Sequence, residues 1–287
     1  MLTLDNLTYR YKKSKKLAID CATAEIGPGI HLLLGENGAG KTTLLHIMAG
    51  LLTPTAGTCL MDNYPTSLRL PEIMNRLFLV SDNMSIPSRN INSFAQVHAC
   101  FYPNFDADLL KSNLADFGMT GSEPLKQMSM GTRRKALLAY ALALRTELLL
   151  LDEPTNGLDI TAKQKLQQIL ARCISDEQTV IVSTHTVWDL LNLYDGVIAL
   201  SQGKLLTAQS TWEITRRLAF VTSQLPPVSP LYVEQQLGLF RAIVPADPES
   251  PTNLDFTLLY NALQSQARDI IISMINKPLN TNSHADI

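Results

Sequence analysis

The chain has no apolar run long enough to cross a bilayer. Its most apolar stretch, Ala136–Leu151, is broken by Arg145 and Glu147 and falls short of the roughly 20 residues a membrane helix needs. The first residues, MLTLDNLTYRYKK, have no apolar core of the signal-peptide kind. Any membrane role is therefore expected to run through a partner. Cysteine is scarce as well. Cys21, Cys59, Cys100 and Cys173 stand far apart, with no CxxC pair and no Cys/His cluster, so neither a zinc site nor a disulfide frame is suggested. They are expected to be reduced, mostly buried thiols of a cytosolic protein. An excess of one charge is missing too. The net charge is −2, so nothing global points to nucleic acid or an anionic surface. Lys12, Lys13, Lys15 and Lys16 form a basic cluster, and such a cluster is ordinarily a solvated loop.

What remains is the composition of a packed globular protein. The chain has 287 residues, 46% of them hydrophobic and 17% charged, enough for one large or two modest domains. Leu2–Tyr11 alternates apolar and polar residues like a strand, and Leu17–Ile26 is a second strand-like run ending in Gly27-Pro28-Gly29. Ile30–Leu34 is short and wholly apolar but for His31, as a buried strand is. Helical character follows over Thr43–Leu52, stopping before Thr53-Pro54. The pattern from Ile91 to Leu144 is mostly helical, interrupted by Tyr102–Asp106. Glu147–Leu151 and Thr179–Ser183 are further buried strands, with an amphipathic helix over Ala162–Ile174 between them. Val197–Leu200 and Lys204–Ala208 flank Gln202-Gly203 as a hairpin.

Buried strands alternating with helices predict an α/β layered domain with a mainly parallel sheet over residues 1–210. Prolines gather beyond it, at Pro226, Pro227, Pro230, Pro245, Pro248 and Pro251. Residues 211–287 therefore read as a C-terminal extension: a helix, a proline-rich connection, a strand at Leu239–Val244 and a helix over Leu254–Ile275. Residues 280–287 are polar and expected to fray.

Two segments carry chemistry. Gly35-Glu36-Asn37-Gly38-Ala39-Gly40-Lys41-Thr42 fits G-x-x-x-x-G-K-[ST] at every fixed position, with a buried strand before it and a helix after it. Glycines let the backbone close around a phosphate and turn its N–H groups inward, and the helix N-terminus adds partial positive charge. Lys41 is expected to reach the β and γ phosphates and Thr42 to offer its hydroxyl to Mg²⁺, with Thr43 beside it. The second segment is Leu148-Leu149-Leu150-Leu151-Asp152-Glu153, a buried strand ending in two acids. Burying carboxylates is costly and needs a reason. Asp152 is placed to hold Mg²⁺ through water, and Glu153 to polarise an attacking water as general base. His185 follows another buried strand, Val180–Thr184, where either a structural role or a γ-phosphate contact fits.

These motifs, in this order, resemble the ATP-binding subunits of ABC transporters over about residues 1–210. GENGAGKTT is similar to the family's Walker A, LLLLDEPTNGLD to its Walker B, catalytic glutamate and D-loop (with Asp159), and STH to its switch-histidine motif. Met128-Ser129-Met130-Gly131-Thr132 stands where the family has its LSGGQ-type signature. The resemblance implies a P-loop NTPase-type domain with an antiparallel β subdomain and a helical subdomain inserted at about residues 83–145. It implies ATP and Mg²⁺ as ligands, His185 as γ-phosphate sensor, and Tyr11 as the aromatic that stacks on adenine. It also implies a head-to-tail pair in which Ser129 and Gly131 of one chain cap the ATP held by the other, closing with ATP and parting on hydrolysis. The partners would be a second ATP-binding subunit and an integral membrane subunit, with the chain peripheral on the inner face of the plasma membrane.

Three features depart from the family pattern. The signature differs from LSGGQ at its first, third and fifth positions. Asp82 or Asn83 replaces the Q-loop glutamine, so Asp82 would meet the metal through water. The D-loop has Asn156-Gly157 instead of Ser-Ala. The stretch Cys100-Phe101-Tyr102-Pro103-Asn104-Phe105-Asp106 and the S-x-G-[MT] form of the signature are similar to exporter ATPases of the bacitracin-resistance and Ytr type. An exporter subunit is thus the expectation. Two alternatives stay open: a soluble ATPase switch, against which stand the single phosphate loop and the lack of heptads, and a hydrolysis-deficient partner in a heterodimer, against which stand Lys41, Asp152, Glu153 and His185.

Overall fold

The computed structural model describes residues 1–82, 84, 86–184, 190, 193–247 and 252–277. The chain divides into two units, Met1–Ala208 and Gln209–Ile287.

The first unit opens with strands β1 (Leu2–Tyr9), β2 (Ile19–Ile26) and β3 (Gly29–Leu34), then helix α1 (Lys41–Met48). Strands β4 (Ala56–Met61) and β5 (Tyr64–Pro65), the one-turn helix α2 (Pro71–Met74) and strand β6 (Leu77–Val80) follow. Three helices come next, α3 (Ile91–His98), α4 (Ala107–Asp116) and α5 (Met130–Ala143), then strand β7 (Leu148–Asp152) and helix α6 (Ile160–Cys173). Strands β8 (Thr179–Ser183), β9 (Gly196–Ser201) and β10 (Lys204–Ser210) complete it.

The central sheet has the order β10-β9-β3-β8-β7-β6. β3 runs parallel to both β8 and β9, and β7 runs parallel to both β6 and β8. Every residue of β7 and β8 is buried, as befits strands covered on both faces. A second sheet, β2-β1-β4-β5, is antiparallel throughout. The two sheets share one core, which gathers Leu2, Leu4 and Leu7 of β1 with Leu44, Leu45, Ile47 and Met48 of α1 and Leu148 and Leu150 of β7. Each such fully buried side chain contributes roughly 2 kcal/mol of transfer free energy, so α1 is anchored by its apolar face. β9 and β10 meet at Gln202 and Gly203, both at positive φ, the two-residue turn whose twist suits a hairpin. Because parallel strands end together, the C-terminal ends of β3, β6, β7 and β8 line one edge of the sheet, where α/β folds place ligands.

The second unit is helix α7 (Thr211–Thr215), strands β11 (Leu218–Ser223), β12 (Tyr232–Gln236) and β13 (Leu239–Pro245), and helices α8 (Phe256–Leu263) and α9 (Arg268–Ile275). Its sheet is antiparallel in the order β11-β13-β12. Here the structure departs from the sequence expectation in two ways. The single strand expected at Leu239–Val244 is the middle of three. The helix expected over Leu254–Ile275 is two, because the Ser265 hydroxyl donates to Ala262 O and accepts from Ala267 N–H, turning the chain between them. The thiols differ as well. Cys59 and Cys173 are buried, but Cys21 and Cys100 are exposed.

The candidate nucleotide site

β3 delivers the chain into the loop of residues 35–40, and α1 begins at Lys41. Gly40 is the residue before the helix, at φ 109°, and a Cβ there would lie 2.5 Å from Ala18 O. Only glycine meets both demands. α1 has no side-chain cap and no acid in its first turn. By contrast, α3 to α8 are all capped by a side chain, from Asn90, Asp106, Ser129, Asp159, Ser210 and Asp255. The uncapped N–H groups and the helix dipole make the start of α1 an anion seat.

Lys41 is 7% exposed. Its ammonium donates to Gly35 O at 2.7 Å and Glu36 O at 3.3 Å, closing the loop on itself. Burial pushes its pKa down, opposed by the nearby Glu153 and Asp152 carboxylates. Thr42 Oγ1 donates to Asp152 Oδ2 at 2.9 Å, and Ser183 Oγ donates to Asp152 Oδ1. The β7–β8 register pairs Asp152 with Ser183, which sets that second bond. Glu153 takes φ 50°, a left-handed conformation that costs a non-glycine residue on the order of 1 kcal/mol. Its N–H donates to Ser183 O at 3.0 Å and Ser183 Oγ at 3.3 Å.

These groups share one cavity of about 430 Å³, lined by Tyr11, Ala18, Glu36, Asn37, Gly38, Gly40, Lys41, Thr42, Thr43, Asp82, Asp152 and Glu153. Tyr11 stands at its side with the phenol oxygen 3.0 Å from Thr43 Oγ1 and its ring edge-on to Tyr9. Gly35 and Ala39 belong to the same loop. Ser129 and Gly131 do not line the cavity. Ser129 caps α5, its hydroxyl accepting from Thr132 N–H at 3.2 Å. Gly131 packs so close to the turn after β7 that a Cβ would lie 2.4 Å from Gly157 O. Asp159 is the cap of α6. His185 lies outside the described residues.

Asp82 sits on the cavity wall with its carboxylate already engaged: Oδ1 accepts from Arg134 at 2.7 Å and from Asn156 at 3.2 Å. Sequence reasoning passed over Arg134 and Ser183. Arg134 carries a faint signal, as the middle of three basic residues, Arg133-Arg134-Lys135, that precede the apolar run of α5. Ser183 carries none until the β7–β8 register is known. As for a metal, Thr42 and Asp152 present a hydroxyl and a carboxylate oxygen side by side, the all-oxygen donor set that suits Mg²⁺ together with phosphate oxygens.

A phosphate-seating loop, a lysine inside it and a hydroxyl–carboxylate pair at the end of a parallel strand define a nucleotide-binding ATPase domain. A family model described as "ABC transporter" matches residues 23–156. The cobalt import ATP-binding protein CbiO of Salmonella typhimurium is 27% identical over 237 residues, spanning 75% of this chain and 82% of that protein. Nod factor export ATP-binding protein I of Cupriavidus metallidurans is 28% identical over 206 residues, spanning 69% of this chain and 68% of that protein. A solved dimeric ATP-binding cassette in a post-hydrolysis state with ADP and Pi has the same fold, with a TM-score of 0.63 at 24% identity over 73% of this chain and 98% of that one. The chain is similar to the ATP-binding subunits of ABC transporters, and the residues matched by that family model hold both the phosphate loop and the Asp152-Glu153 strand end.

Proposed function

We propose that the chain powers an exporter: ATP closes a pair of such subunits, and hydrolysis reopens it, working a separate membrane subunit. The observation that carries the hydrolytic part is the chain of contacts from Thr42 through Asp152 to Ser183, with Glu153 next in line on the wall of the same cavity. In this reading the phosphates of ATP occupy the loop from Gly35 through Asn37, Gly38, Ala39 and Gly40 to Thr43. Lys41 leaves the Gly35 and Glu36 carbonyls for the β and γ phosphates. Tyr11, poised beside Thr43, faces the adenine.

Thr42 and Asp152 would hold Mg²⁺, which when bound screens the charge on the transferred phosphate oxygens. Glu153 orients the attacking water and accepts its proton, and His185 contacts the γ-phosphate. Preorganised donors facing developing charge supply the largest part of such catalysis. Ser129 and Gly131, which do not line their own chain's cavity, serve the ATP of the neighbouring subunit. Export is favoured by the 100–106 stretch and by the S-x-G-T signature. Among the described residues no helix is long and apolar enough to cross a membrane, so the transport path belongs to the partner. The subunit then works from the inner face of the plasma membrane. Residues 1–210 form the ATP-binding domain, with the helices of about 83–145 as its inserted subdomain, and residues 211–287 are an appendage to it.

Glu153→Gln tests the mechanism. It is expected to lower steady-state phosphate release by about 100-fold or more and to trap an ATP-bound dimer seen by size exclusion. Undiminished turnover would remove Glu153 as base, and a persistent monomer with ATP would remove the paired arrangement. Transport assays in inverted vesicles with the copurifying membrane subunit decide direction: ATP-dependent uptake into inverted vesicles supports export, and ATP-dependent release overturns it.

A further inference from the structure

Arg134 lies in the second turn of α5, 5% exposed, and does not line the cavity. Its guanidinium ends behind the cavity wall and joins three segments. One nitrogen donates to Glu153 O at 3.0 Å and to Asp152 O at 3.5 Å. The other donates to both Asp82 O and Asp82 Oδ1. Asn156 Nδ2 donates to that same carboxylate oxygen at 3.2 Å. A buried cation is costly unless paired and saturated with acceptors, and this one is placed where four acceptors converge.

We propose that Arg134 is a positioning residue for hydrolysis: it holds the main chain of Glu153 in its left-handed conformation and ties that hold to Asp82 and to α5. The proposal rests on Glu153 being the base. A strained residue keeps its conformation only when its surroundings over-determine it. Ser183 fixes the Glu153 N–H side, and Arg134 fixes the carbonyl side. The fork of a guanidinium matters here. It reaches the Glu153 carbonyl with one nitrogen and the Asp82 carboxylate with another, in a rigid plane that a compact ammonium does not reproduce. The same helix bears Ser129 at its cap and Arg134 in its second turn. Movement of α5 at the neighbour's ATP is therefore felt at this chain's own Glu153.

Full-length Arg134→Lys, Arg134→Met and the pair Asp82→Asn with Arg134→Met test this, with Glu153→Gln alongside. Both single variants are expected to lower kcat by about 10- to 100-fold, as small misplacements of reacting groups do, while KM for ATP and binding of the fluorescent analogue TNP-ATP change less than about threefold. The double variant, which also removes the Asp82 charge left without its partner, is expected to regain part of the thermal midpoint lost by Arg134→Met without regaining kcat. Recovery of kcat together with the midpoint would show a purely structural arginine and overturn the proposal. Wild-type kcat in Arg134→Lys would overturn it as well, and that variant carries the test should Arg134→Met not fold. An active Glu153→Gln would instead sink the base assignment on which the proposal stands.

Discussion

The two units of the chain treat buried charge differently. The first buries Lys41, Arg134 and Asp152, at 7%, 5% and 3% exposure. In the second, Thr257 is the one buried polar residue among those described. Its main ionic group, Arg241 with Glu234 and Asp255, stays partly in solvent. Burying a charge costs several kcal/mol unless partners meet it, so such groups persist where their position serves something beyond stability. The difference locates the chemistry. On the function proposed above, the first unit accepts a cost to aim groups at a phosphate, whereas the second is held by apolar burial with an ordinary ionic clasp.

The severest challenge to that contrast is Lys41→Met. Phosphate release is expected to fall by at least about 100-fold, since a charge facing the transferred group is lost. Stability should respond in the opposite sense. Burial lowers the folded-state pKa of Lys41, so between that lowered value and the ordinary lysine range the unfolded chain binds more protons. Wild-type stability therefore gains as pH rises through that window, and the advantage of Lys41→Met shrinks. Thermal midpoints of both proteins measured along an alkaline series check this, and a constant gap would show that Lys41 is solvated. At the second unit, Arg241→Met is expected to cost about 1 kcal/mol, as partly exposed pairs do, and to leave kcat unchanged within about twofold. A large loss of turnover there would erase the contrast. The smallest effect concerns the thiols of the first unit. Burial pushes Cys59 up to about 12, whereas Cys21 and Cys100 are exposed. Ellman's reagent should react promptly with Cys21 and Cys100, but with Cys59 only after unfolding.

The legibility of the molecule follows the same line. The loop of residues 35–42 and the pair Asp152-Glu153 are contiguous, so their chemistry is written within single segments. The buried strands β7 and β8 are legible because strands covered on both faces are apolar at nearly every position. Arg134 and Ser183 act through contacts set by packing: one needs α5 against the ends of β6 and β7, the other needs the register of β8 on β7. Strands β11 and β12 escaped notice because Pro226, Pro227 and Pro230 stand between them and because β12 ends in Glu234-Gln235-Gln236, too polar to alternate. Asp82 reads in sequence as an acid free to meet a metal, yet three dimensions supply it with Arg134 and Asn156.

Gly131 and the Gly157 carbonyl touch with no side chain between them, at a spacing that would put even a methyl group 2.4 Å from the oxygen. A contact of that kind has no slack. Side chains yield by changing rotamer, but backbone against backbone can only slide or move together. The start of α5 and the turn after β7 thus behave as a bearing surface, one part unable to advance without displacing the other. Moving residues 129–132 toward that turn therefore displaces the backbone just after Glu153 as well.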